Sequence, residues 1–126
     1  VESIIVLVAW EVEFADEFGE WWGSLTEAEQ DSVDSTVILL QERGPALTRP
    51  YADTLKGSRF PNMRELRIQH EGRPYRVLYA FDPRRVGYLL IGGDKTGNPR
   101  WYDEFIPVAD GIYEQHLREL KAGQKE

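Results

Sequence analysis

An α+β fold is predicted: a small antiparallel sheet with N-terminal helices packed on one side and a C-terminal helix. Three observations predict it. Residues 26–43 repeat apolar side chains at helical spacing, residues 63–91 switch to strand-like runs parted by short turns, and residues 107–123 return to helical spacing. No repeat, linker or low-complexity segment interrupts this order, and 126 residues suit a single domain.

Residues 4–14 begin as an apolar run and pass into alternation, with Trp10, Val12 and Phe14 against Glu11 and Glu13, which predicts a strand entering the core. Residues 16–22 read as a short helix. Thr26 and Glu29 stand at capping-box spacing, and Val33, Val37 and Leu40 follow at helical intervals up to Gly44-Pro45, which ends the helix. Residues 47–58 form a connector with one helical turn around 51–55, delivering Lys56 beside Gly57. Met63, Leu66 and Ile68 then open a three-strand meander. Its turns fall at His70-Glu71-Gly72-Arg73 and Asp82-Pro83-Arg84-Arg85, and it ends at Ile91. Gly92-Gly93-Asp94-Lys95-Thr96-Gly97-Asn98-Pro99 is rich in turn formers and reads as a loop at the strand end. The last helix starts near Pro107 and stops at Gly123. Short turns make the meander antiparallel, with the helices segregated to one side and the other side partly open to solvent.

Composition narrows the chemistry. Cysteine is absent, which removes disulfides, thiolate nucleophiles and Cys-based zinc sites, and two histidines cannot build a histidine-rich metal centre. The apolar stretch at 4–10 follows Glu2 and falls well short of a membrane span, so a cytoplasmic protein without membrane attachment is expected. The formal net charge is -7, but it is unevenly spread. Residues 1–48 hold eleven acidic side chains and one basic, 49–101 hold eleven basic and five acidic, and 102–126 hold three basic and six acidic. Nine of the eleven central cations are arginine, whose planar fork matches phosphate oxygens. The competing reading is a solubilising surface of arginines paired with carboxylates.

Several chemistries fail on spacing. Lys95-Thr96 lacks the pattern of a phosphate loop, no serine lies in a nucleophile elbow, and Glu65, Asp82 and Asp94 have no spacing that marks a magnesium site. His70 reads as an exposed turn residue and His116 as a group on the helix surface. Lys56, Arg67, Arg76, Lys95 and Tyr102 are more informative, since each lies on a strand or beside a turn of the basic stretch. Metal-free RNA cleavage needs a group to take the 2′-hydroxyl proton, cations to stabilise the phosphorane, and a donor to the 5′-oxygen. Arginines can stabilise the charge, and a dense positive field is expected to lower the Lys and Tyr pKa values enough for acid-base work. Arg64 cannot share a face with Arg67, because their separation is odd; whether Arg67 and Arg76 share one depends on register.

The ordered segments KGSR, NMRELR, GRPYRVLYAFDPRR, LLIGGDKTGN and RWYDEFIPVAD resemble the RelE/HigB superfamily of toxins from bacterial type II toxin-antitoxin modules, most like phage-derived HigB-like toxins, over residues 10–121. The resemblance implies a RelE-like fold and a ribosome-dependent, metal-independent endoribonuclease that needs no cofactor and cuts translated mRNA. It implies Arg67, Arg76, Lys56, Lys95 and Tyr102 as the catalytic set; Arg59, Arg64, Arg73 and Arg100 of the basic stretch are expected as further RNA contacts. It also implies a cognate antitoxin, of helix-turn-helix type, as partner beside the ribosome and mRNA. The alternative is a catalytically inactive RNA- or antitoxin-binding module. Residues 1–9 read as an N-terminal extension and 122–126 as a polar tail. Adjacent Trp21 and Trp22 cannot easily both point inward, so an apolar partner groove is expected beside them and the C-terminal helix.

Overall fold

A computed structural model describes residues 9–124. The chain runs β1 (Val12–Phe14), α1 (Asp16–Gly23), α2 (Glu27–Arg43), a 3-10 turn (Gly44–Ala46), β2 (Ala52–Thr54), β3 (Arg64–His70), β4 (Arg73–Phe81), β5 (Gly87–Asp94) and α3 (Trp101–Gln124). The five strands form one sheet in the order β1-β5-β4-β3-β2. β2, β3, β4 and β5 are antiparallel to their neighbours, whereas β1 joins the edge parallel to β5.

The N-terminal helices cover one face, as expected. Phe18 of α1 and Val33 and Leu40 of α2 pack on Leu66, Ile68, Tyr75, Val77, Tyr79 and Leu89. The opposite face is not left to solvent: Trp101, Ile106, Ala109 and Tyr113 of α3 bury Met63, Leu78, Ala80 and Leu90. Two apolar faces on the central strands demand two covers, and the alternating side chains of β4 serve both.

Local chemistry explains most boundaries. Thr26 Oγ1 accepts the Glu29 N–H at 3.1 Å and Glu29 Oε1 accepts the Thr26 N–H at 2.8 Å, completing the capping box at the start of α2. The helix ends where Gly44 takes a φ of 57°. Three expectations are corrected. The segment around 51–55 is not helical but contributes the edge strand β2, paired Ala52 to Leu66 through Thr54 to Arg64. β5 runs on through Gly92 and Gly93, because two indole rings press on the strand there. A Cβ on Gly92 would lie 2.3 Å from Trp21, and one on Gly93 2.7 Å from Trp101 Nε1. α3 opens at Trp101, where the Asn98 side chain accepts the Arg100 N–H at 3.0 Å and donates to Glu104 at 2.9 Å, so Pro107 lies inside the helix. The first strand is described only at Val12–Phe14, and the apolar run of residues 1–8 lies outside the described residues.

Both histidines are buried, against expectation. His70 Nδ1 is 2.7 Å from Ser32 Oγ of α2. His116 Nε2 is 2.8 Å from Asp82 Oδ2, and its ring stacks on Tyr88 at 3.5 Å. Burial works to raise the Asp82 carboxyl, but hydrogen bonds from Arg84 and His116 outweigh it and hold that group below its usual range. Each pair ties a helix to the sheet.

A third tie is the hydrogen bond from the Tyr75 hydroxyl on β4 to Glu29 on α2. That bond, helped by the Thr26 N–H, lowers Glu29 to about 2 from the usual 4.5. Burial first, and Glu29 second, push Tyr75 up to about 12 from 10.0. Glu29 therefore stabilises the fold fully above pH 4.5 and loses that contribution as pH falls toward 2; Tyr75 does so below pH 10 and loses it as pH rises toward 12. In denaturation series, Glu29→Gln is expected to be less stable than the unsubstituted chain at neutral pH, and the gap to shrink as pH falls from 4.5 to 2. A gap independent of pH would contradict this linkage.

Candidate active site

Strand parity assembles the site. Arg67 on β3 lies directly opposite Arg76 on β4, and Glu65 opposite Leu78. Leu78 belongs to the core under α3, so alternation puts Glu65, Arg67 and Arg76 on that same face. Two like charges facing each other across a strand pair repel. Glu65 relieves the conflict: Arg67 Nη1 donates to its Oε2 at 3.0 Å, and Arg76 Nε lies 3.6 Å from its Oε1.

Tyr102, in the first turn of α3, closes the cluster. Its hydroxyl donates to Glu65 Oε1 at 2.6 Å and accepts from Arg76 Nε at 3.3 Å. Arg76 Nη1 is pinned to the Tyr75 carbonyl at 3.0 Å. The Glu65 and Arg76 side chains are 6% and 7% exposed, against 27% for Arg67, so Arg67 is the guanidinium a ligand meets first. Lys95 Nζ lies 5.2 Å from the centre of the Tyr102 ring, within cation-π reach. Its own N–H extends the β4-β5 pairing by donating to the Pro74 carbonyl at 3.0 Å.

Burial is the largest influence on the Tyr102 phenol, followed by the hydrogen bond to Glu65; together they raise its pKa, although Arg76 pulls the other way. The expected lowering by a positive field is thus overturned for Tyr102. The nearest charge is a carboxylate, which cancels much of the field of the two arginines. A phenol held this way keeps its proton at neutral pH and acts as a donor rather than a base.

The five residues grouped by sequence do not share one concavity. Arg67 and Arg76 line a cleft of about 290 Å³ together with Arg49, Pro50 and Gln69. Lys56 lines a second cleft, of about 520 Å³, whose walls include Tyr102, Arg59 and Asp110. Tyr102 is the partition, since it lines the second cleft while its hydroxyl reaches Arg76. Arg59 is engaged by Glu114 at 2.8 Å. Arg100 is exposed beside Asp103 at the start of α3. Arg64 and Arg73 are not brought to the face that carries Arg67 and Arg76. Both point to the α2 face, Arg64 toward the Pro45 carbonyl at 3.2 Å and Arg73 toward Asp94 at 3.2 Å and Glu29 at 3.9 Å.

Sequence reasoning missed Glu65 as the hub, having weighed it only as a metal ligand, although its two-residue spacing from Arg67 put both on one face. It also missed Arg49 and Gln69. Glu65, Asp82 and Asp94 are not brought together, and among the described residues no three His, Asp or Glu side chains form a group able to hold a metal ion. Among the same residues no helix is long and apolar enough to cross a membrane.

Residues 20–114 match the family model described as phage derived protein Gp49-like (DUF891). HigB3 of Mycobacterium tuberculosis (strain H37Rv), a candidate toxin, is 44% identical over 104 residues, a span covering 82% of this chain and 90% of HigB3. HigB2 of the same organism, also a candidate toxin, is 38% identical over 116 residues. That span covers 90% of this chain but only 57% of HigB2, so the chain reaches little more than half the length of that relative. A chain of the archaeal RelE-RelB complex from Pyrococcus horikoshii OT3 shares the fold, with a TM-score of 0.52 at 16% identity over 71% of this chain and 98% of that one. With a family model matched over most of its length and HigB3 spanned almost end to end, the chain belongs to the phage-derived Gp49-like family and is related to HigB toxins.

Proposed function

We propose that the chain is a ribosome-dependent, metal-independent endoribonuclease toxin that cleaves translated mRNA in the cleft beside Arg67 and Arg76 and is neutralised by a cognate antitoxin of helix-turn-helix type. The observation that carries this reading is the Arg67-Arg76 pair, opposed across two strands and open to a cleft, with a protonated phenol and a carboxylate in hydrogen-bond contact.

The chemistry divides among these groups. The 2′-oxygen attacks phosphorus, forming the P–O bond of a 2′,3′-cyclic phosphate as the bond to the 5′-oxygen breaks. Arg67 and Arg76 stabilise the charge gathering on the equatorial oxygens, and their remaining N–H groups suit bidentate contact. Within the cluster, Glu65 is the side chain able to accept the 2′-hydroxyl proton, since the arginines are permanently charged and Tyr102 keeps its own proton. Tyr102 gives that proton to the 5′-oxygen, and the hydrogen bond between Tyr102 and Glu65 returns a proton from carboxyl to phenolate for the next turnover. Lys95, over the Tyr102 ring, favours the transient phenolate. Lys56, Arg59 and Arg100 border the second cleft or the start of α3, where they attract the RNA backbone on either side of the cut.

Arg67→Ala is expected to lower mRNA cleavage in a translating extract by about 100-fold or more while leaving the folded spectrum unchanged, because its side chain is partly exposed. Arg67→Lys should recover little, since a point charge cannot replace the fork. Tyr102→Phe should cost about 100-fold or more in cleavage without loss of RNA binding. Mapping of 5′-ends reads all three variants. Codon-positioned cuts at unsubstituted levels in Arg67→Ala would remove the proposed clamp, and uncut transcripts with the unsubstituted chain would point to a binding module instead. Cleavage that stops on addition of EDTA to a ribosome-free assay would indicate a magnesium nuclease.

A further inference from the structure

We propose that the open edge of β5 between Gly92 and Asp94 is a docking strip for an extended, basic peptide segment of a partner protein, which adds to the sheet as a further strand. This inference does not rest on the nuclease reading, because none of the residues assigned to chemistry is used.

The edge has no strand partner because β1 is short, although Gly92 and Gly93 expose little surface of their own. β1 pairs only with Gly87 through Leu89, and the last backbone bond on that side is the Ala15 N–H to the Leu89 carbonyl at 2.9 Å, after which the chain turns into α1. On the inner side, the Lys95 N–H donates to the Pro74 carbonyl, and Gly93 pairs with Arg76 and Ile91 with Leu78. Antiparallel ladders alternate, so if residues 95, 93 and 91 direct their backbone groups to β4, those of Gly92 and Asp94 point to the outer edge. Among the described residues no hydrogen bond satisfies them there. Unpaired, in-register donors and acceptors on a strand edge suit another extended backbone.

The walls say what kind of strand fits. The edge lies in a groove of about 610 Å³ bounded by Trp21 and the acidic Glu17 and Glu20 of α1 on one side and by Trp101 and Phe105 of α3 on the other. Glu17 and Glu20 are exposed and form no ion pair among the described residues, in a segment of the sequence that is strongly acidic throughout. Trp101 stacks on Phe105 at 4.4 Å, and its buried indole N–H has no hydrogen-bond partner. Carboxylates without partners beside aromatic faces suit lysine and arginine side chains, and an apolar side chain of the same strand can lie between the rings. The aromatic groove expected from Trp21 and the C-terminal helix is therefore present, with a strand edge as its floor. Trp22 is not among its walls and packs with the core under α2.

The test uses the full chain with a synthetic octapeptide of alternating lysine and valine, read by amide hydrogen exchange. The Gly92 and Asp94 amides are expected to become protected on adding this peptide. Two control peptides, one with glutamate for lysine and one with the same charge but alternate residues replaced by proline, should protect neither. The double variant E17Q/E20Q should weaken binding about tenfold while mRNA cleavage is retained. Four results would overturn the proposal: no protection by the lysine peptide; equal protection by the proline peptide, meaning charge attraction alone; an affinity unchanged in E17Q/E20Q; or protection of the same amides that follows protein concentration without peptide, meaning that a second copy of this chain is the occupant.

Discussion

The Glu65 carboxylate is the constraint on which the rest of the site depends. Register alone sets Arg67 against Arg76, and two guanidiniums opposed across β3 and β4 would repel without an anion between them. Glu65, two residues before Arg67 and therefore on the same face, meets both and also receives the Tyr102 hydroxyl. One side chain thus sets the spacing of the cations, fixes the phenol, and joins α3 to the middle of the sheet. Burial of Arg76 makes this pairing obligatory, since a charge so enclosed is costly unless hydrogen-bonded.

The same arrangement explains how an acidic chain can present a cationic site. The acidic residues of the first 48 positions lie mainly on β1, α1 and α2, whereas the four arginines of β3 and β4 are divided between two faces of the sheet by strand parity. Those directed to the α2 face, Arg64 and Arg73, meet the Pro45 carbonyl, Asp94 and Glu29 and serve the fold. Those directed to the α3 face open onto the cleft. Charge count along the sequence cannot separate these groups, but face does.

Much of this was legible from residue order. The capping box at Thr26 and Glu29, the length of α2, both hairpin turns and the odd spacing that parts Arg64 from Arg67 all follow from local chemistry. The register that sets Arg67 against Arg76 was not legible, because it depends on pairing along the whole hairpin. Gly92 and Gly93 looked like loop formers. Their role emerges only with the two tryptophans, which come from distant helices and need strand backbone without side chains. His70 and His116 looked exposed for a similar reason, since Ser32 and Asp82, the groups that satisfy them, are far away in the chain. Lys56 and Tyr102 do share a cleft, but Tyr102 parts it from the one that Arg67 and Arg76 line.

The most direct test is a structure of the chain bound, on the ribosome, to mRNA carrying a 2′-O-methyl group at the cleavage position, which blocks attack while keeping the phosphate. The account predicts the scissile phosphate between Arg67 and Arg76, with the Tyr102 hydroxyl within hydrogen-bond distance of the 5′-oxygen and Glu65 facing the 2′-oxygen. A phosphate lodged elsewhere, with both arginines still held by Glu65 alone, would contradict it.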